Sequence, residues 1–176
     1  MYKLASTMAL LGLVALVAPL TACDSSAGAT PSATSGSAAT AGANAKASGP
    51  LVINIPKLGL KGLAPGETEQ PIIGDGEPIL LATAGFTVTL ASAKPTDPKT
   101  LKDGQKAAEL FNPKNSKSET LPDGWVLTYE NTGSAGTNYF VNSRREIGGK
   151  GYLCETAQNT PEQQAKAVAF CKSLSK

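Results

Sequence analysis

Three thiols, fourteen carboxylates and no imidazole define the chemistry open to this 176-residue chain. Without histidine it lacks the commonest general base and the commonest metal ligand. Cys23 follows two small residues in Leu20-Thr21-Ala22-Cys23 and is the only cysteine before Cys154. Cys154 and Cys171 are not spaced as C-x-x-C, and they read as a structural disulfide rather than a redox pair. Glu130 and Glu155 could act as paired carboxylates on a glycan. Strand spacing and rise place them ~15 Å apart, whereas glycosidase pairs need roughly 5–9.5 Å. Gly74-Asp75-Gly76 has only Glu77 beside it. A calcium loop needs more oxygen ligands than that, so the segment reads as a turn. Serine with lysine can replace a histidine-assisted nucleophile, but no G-x-S-x-G elbow singles out a serine here. Thr128, Asn138, Asn142 and Arg144 could together bind an anionic or sugar partner from one strand face. No metal and no cofactor is expected.

The setting of Cys23 is informative. Lys3 gives the amino terminus a positive charge, and residues 8–20 form an uncharged run of 13. A bilayer-spanning helix needs roughly 20 apolar residues, so this run is short for a span and suits a secretory signal. With Leu20, Thr21 and Ala22 before the cysteine, residues 1–23 resemble the lipobox signal of bacterial lipoproteins. The resemblance implies that the Cys23 thiol is alkylated with a diacylglyceryl group, that 1–22 is removed, and that acyl chains such as palmitate hold the protein on an envelope membrane. Two or three chains suffice for stable anchoring where one does not. Asp24 resembles the residue that retains enteric-type lipoproteins at the inner membrane.

Residues 24–50 contain 24 Ala, Ser, Gly, Thr or Pro among 27. Such a segment buries too little to offset the entropy of ordering. As a flexible coil it would hold its ends ~25–30 Å apart, a tether between membrane and domain. The formal charge of +2 gives no indication of nucleic acid. The domain organisation is therefore a signal peptide at 1–22, a lipidated cysteine and linker at 23–50, and one globular domain at 51–176.

Within that domain, residues 51–55 read as a strand stopped by Pro56, and 57–78, rich in Gly and Pro, carry no assignment. Residues 78–81 and 86–90 read as strands on either side of Thr83-Ala84-Gly85. A helix is expected over 98–111, with Pro98 in its first turn and Leu101, Ala108 and Phe111 on one side. Gly104 weakens it. Residues 125–131, 137–146 and 150–156 form an antiparallel meander. Its turns are a longer one at 132–136 and a two-residue one at Gly148-Gly149. A last helix starts at Pro161, capped by Thr160 with Gln163 completing a capping box, and runs to about Leu174.

The turns set a register. Ile147 opposite Lys150 places Arg145 opposite Tyr152 and Ser143 opposite Cys154. Asn131 opposite Thr137 places Tyr129 opposite Tyr139 and Leu127 opposite Val141. One face then carries Trp125, Leu127, Tyr129, Tyr139, Val141, Tyr152 and Cys154. The other carries Val126, Thr128, Glu130, Asn138, Phe140, Asn142, Arg144, Leu153 and Glu155. The helical face of Gln164, Ala167, Val168, Cys171 and Leu174 brings Cys171 onto the first face, against Cys154. A bond there would add ~3 kcal/mol in the chain-entropy model.

The fold class expected is α+β. It comprises an antiparallel sheet, made of a three-stranded C-terminal meander plus one to three further strands. The C-terminal helix packs on one face, and 98–111 supplies a second helix. The order of elements is loosely similar to that of PsbP-like domains, which bears on shape and not on activity. The function expected is that of a lipid-anchored cell-envelope (periplasmic) protein, a non-catalytic binding or structural module. The alternative is a small envelope hydrolase working without histidine. Its partners would be the membrane, through covalent lipid, and a protein or small ligand, with no nucleic acid. Cys23→Ser should therefore abolish lipidation and release the protein from the membrane fraction. Unchanged mobility and membrane retention of that variant would contradict the lipobox reading.

Overall fold

The computed structural model describes residues 49–176. The expected lipobox with Cys23 and nearly all of the expected linker at 24–50 lie outside the described residues. β1 (Leu51–Ile55) and β2 (Leu60–Ala64) form an antiparallel hairpin joined by a 3-10 turn at Pro56–Leu58. Then come β3 (Ile72–Ile73), β4 (Ile79–Ala82), β5 (Thr87–Ser92) and helix α1 (Leu101–Ala108). β6 (Lys114–Leu121), β7 (Gly124–Gly133), β8 (Gly136–Ile147), β9 (Lys150–Gln158) and helix α2 (Pro161–Ser173) complete the domain. The strands β3 to β9 form one antiparallel sheet in the order β3-β4-β5-β9-β8-β7-β6. The α+β class is thus observed, with a larger sheet than expected. The segment 57–78, unassigned from sequence, supplies β2 and the edge strand β3.

Both faces of the sheet are covered near β7. Trp125, Val126 and Leu127 are consecutive and all buried, which a strand covered on one face does not allow. Val126 joins a core with Val88, Leu90, Val141, Tyr152, Cys154, the α2 residues Ala167, Phe170 and Cys171, and Leu174 just after the helix. Ile53, Ile55, Leu60 and Ala64 of the β1–β2 hairpin close that core. A Cβ at Gly62 would lie 2.6 Å from the Phe170 ring, so the hairpin backbone rests directly on the aromatic. On the opposite face Trp125, Leu127 and Tyr129 form a second core with Ala108 and the flanking Leu101 and Phe140.

This division corrects the face expected for β7. Gly148 and Gly149 take the positive φ of a tight two-residue turn, and the pairs Ile147–Lys150, Arg145–Tyr152 and Ser143–Cys154 are observed as expected. The turn before it differs. It closes on Gly133 opposite Gly136, so Asn131 faces Asn138, Tyr129 faces Phe140 and Leu127 faces Asn142. A shift of one residue reverses every side chain of a strand. Trp125, Leu127 and Tyr129 therefore lie beneath α1, while Val126, Thr128 and Glu130 move to the side of α2. Glu130 and Glu155 consequently lie on opposite faces rather than sharing one.

The helices begin where side chains can accept their free N–H groups. α1 starts three residues later than expected and ends at Ala108, with Glu109–Phe111 continuing as a 3-10 turn. Thr100 and Asp103 form a reciprocal capping box, and Pro98 stays in the lead-in. In α2, Thr160 accepts from the Gln163 amide as expected, but Gln163 Oε1 reaches the N–H of Asn159 instead of that of Thr160. Cys154 and Cys171 are disulfide-bonded, with their Cα atoms 5.7 Å apart. Phe170, absent from the helical face expected, is fully buried; burying such a side chain stabilises by ~1.5–3 kcal/mol.

The carboxyl end of α2 is held by Arg145. Its guanidinium donates to Asp123 Oδ1 and Oδ2, both at 2.8 Å, and to the carbonyls of Cys171 and Lys172. A cation at the last helical carbonyls also opposes the negative end of the helix dipole. The hydrogen bonds from Arg145 hold the Asp123 carboxyl below the usual aspartate value, despite some burial acting the other way. Asp123 is therefore ionised in the folded state at pH values where the unfolded chain would protonate it. Its contribution is complete above the unfolded value and is lost as pH falls through the depressed folded value. Asp123→Asn should lower stability at neutral pH by about 1–2 kcal/mol and flatten the acid limb of the stability curve. Urea unfolding across the acid range checks this; an acid limb as steep as that of the wild type would contradict it.

Candidate functional site

α1 has 8 residues, hence a length of about 12 Å, and a helix is about 10 Å across. Strands are spaced by about 4.8 Å, so such a helix covers some two interstrand gaps of a seven-stranded sheet. It lies over β7, where Gly104 rests on the indole: a Cβ there would be 2.7 Å from Trp125. The glycine that weakens the helix by propensity is the one that lets it approach. Trp125 Nε1 donates to the Lys99 carbonyl at 3.3 Å and Arg144 Nη1 to the Pro98 carbonyl at 3.4 Å, which fixes the lead-in.

Beside α1 the same sheet face is open over β8, β9 and β5. The pairings align Leu127, Asn142, Glu155, Thr89 and Leu80 in one row across β7, β8, β9, β5 and β4. Two adjoining depressions share Thr89 and Glu155. The first, of about 400 Å³, runs along α1 between Gly104, Ala107 and Phe111 and a floor of Trp125, Tyr129, Phe140 and Asn142. The second, of about 540 Å³, lies toward Pro78, Ala91, Lys94, Asp97 and Leu153. Together they form a trough with Glu155 at its middle.

The aromatic end is a cluster of three rings. Tyr129 and Phe140 stack with centroids 4.8 Å apart at an interplanar angle of 6°, and Phe111 lies 5.8 Å from Phe140 and 6.3 Å from Tyr129. Burial pushes the Tyr129 phenol above its usual value, while Asn142 acts in the other direction. Glu155 is likewise pushed above the usual glutamate value, first by the crowding of the trough walls and then by the Asp97 carboxylate. Its side chain remains open to solvent, so it is a carboxyl at a cleft wall and not a sealed one.

Of the four residues expected to bind a partner, the structure brings only Asn142 to the trough. Asn138 shares its face but sits exposed near the hairpin tip, opposite Asn131. Arg144 is engaged by Glu146 at 2.7 Å as well as by Pro98. Thr128 lies on the α2 side and contacts the Lys117 carbonyl of the neighbouring strand at 3.4 Å. Thr89, Glu155 and the aromatic floor were not assembled from sequence, because doing so needs the β5–β9 pairing, which joins strands about 65 residues apart. Among the described residues no group of three or more His, Cys, Asp or Glu side chains is placed to hold a metal ion, and no helix is long and apolar enough to cross a membrane. No protein-family model and no curated protein matches the chain.

Proposed function

We propose that the chain is a lipid-anchored cell-envelope protein whose domain binds a small ligand in the trough beside α1, without catalysis. The observation carrying this reading is the half-covered sheet face, an apolar aromatic floor into which Asn142, Glu155 and Thr89 bring a few convergent polar groups. Depressions of this size and lining suit small-molecule recognition. The lipobox at Leu20-Thr21-Ala22-Cys23 supports the anchor, and the Ala/Ser/Gly-rich linker would let the domain reach away from the membrane.

A second reading is an envelope hydrolase. It draws support from Glu155, a carboxyl held above its usual value beside the Asp97 carboxylate, as in acid–base pairs. Turnover of a wall-derived glycan that Glu155→Gln abolishes would favour it over binding.

Native mass spectrometry on the full chain extracted from its own envelope tests the binding reading. The wild type should carry a small molecule that Ala107→Trp, which narrows the trough from an exposed helical position, fails to retain at unchanged melting temperature. A wild type free of any such molecule, or equal retention by the variant, would contradict it.

A further inference from the structure

We propose that the ligand of the trough is a small organic cation, an ammonium group bearing apolar substituents, with Glu155 as its counter-charge. The inference rests on the binding reading and gives it a chemical class. The chain has nine aromatic residues, and four of them, Phe111, Trp125, Tyr129 and Phe140, line the depression along α1. Phe111 is exposed and Phe140 half-buried, whereas Trp125 and Tyr129 form the buried floor. Ring faces carry partial negative charge and attract cations. The one charged side chain lining that depression is Glu155.

Glu155 is also free to take a partner. Among the described residues ion pairs at 2.7–3.0 Å engage only Glu67, Glu119, Asp123 and Glu146, so Glu155, like the other carboxylates along the trough, holds no lysine or arginine. Lys94 lines the adjoining depression, yet it pairs with neither Glu155 nor Asp97, and Asp97 is turned back to accept from the Lys94 backbone N–H at 2.6 Å. A ligand reaching Glu155 thus meets that carboxylate and the aromatic rings, with Glu77, Asp97 and Lys94 along the adjoining depression; three carboxylates against one ammonium disfavour an anion. A neutral ligand can hydrogen-bond there but leaves the charge uncompensated. An ammonium with apolar substituents answers both the carboxylate and the rings.

Trp125 is the only tryptophan of the chain and lies in the floor, so its emission reports occupancy. The test titrates the full chain in detergent with choline and with benzyltrimethylammonium. Parallel titrations use dimethylbutanol, the uncharged carbon isostere of choline, and glucose. At least one cation should change the emission saturably. The isostere and glucose should bind at least about tenfold more weakly, and Glu155→Gln should weaken the cation about tenfold at unchanged melting temperature. Equal binding of the isostere or of glucose, or indifference to Glu155→Gln, would overturn the cation and leave a site for neutral ligands. Silence of every probe, where mass spectrometry still finds a trough-bound molecule, would overturn the cation alone. Silence in both experiments would overturn the binding reading with it.

Discussion

Gly133 opposite Gly136 fixes which way every side chain of β7 points. From that pairing Trp125, Leu127 and Tyr129 fall on one face, and Val126 on the other with Val141 and Cys154. Had the strand slipped by one residue, the largest aromatic cluster would meet α2 and the polar β7 residues would meet α1. The trough depends on this choice. Its floor exists because the aromatic face of β7 and Phe140 of β8 lie under and beside a helix too short to cover them all.

The two faces have different tasks. On one, α2 is bound to the sheet by the Cys154–Cys171 bond, by burial of Phe170 and by Arg145, which ties the helix end to the turn at Asp123. Gln164 adds a hydrogen bond to the Phe140 carbonyl at 2.8 Å. That face is closed by the β1–β2 hairpin, and the depressions at its margins, of about 120 and 250 Å³, are smaller than those of the trough. On the other, α1 is positioned through Gly104 on the indole and through the Thr100–Asp103 box, and it leaves β8, β9 and β5 open. The covered face supports the strands; the open face presents their side chains.

Much of the α2 face was legible in the sequence because its signals are local. Gly148-Gly149 dictates a two-residue turn, Thr160-Pro161 a helix start, and their registers bring Cys154 to Cys171 without long-range information. The β7 face was not legible, because 132–136 reads equally as a longer loop and as a tight turn flanked by glycines. The difference is a single residue of register, and alternation offers no help where Trp125, Val126 and Leu127 are all apolar. The start of α1 is ambiguous in the sequence because Pro98 is a strong initiation signal, while the Thr100–Asp103 box takes effect two residues further on. Glu155 was visible as a residue of the polar face. Its neighbours Thr89 and Asp97 were not, since a helix and three strands separate β5 from β9 along the chain.

The register of β7 is the central claim, and the contacts of the single indole decide it. In a nuclear magnetic resonance experiment on the isotopically labelled chain, the Trp125 ring protons should show nuclear Overhauser contacts to the α-protons of Gly104. They should show none to Phe170 or Cys171, which lie across the sheet. Contacts from Trp125 to those two α2 residues, with none to Gly104, would place the aromatic face under the wrong helix and remove the trough floor.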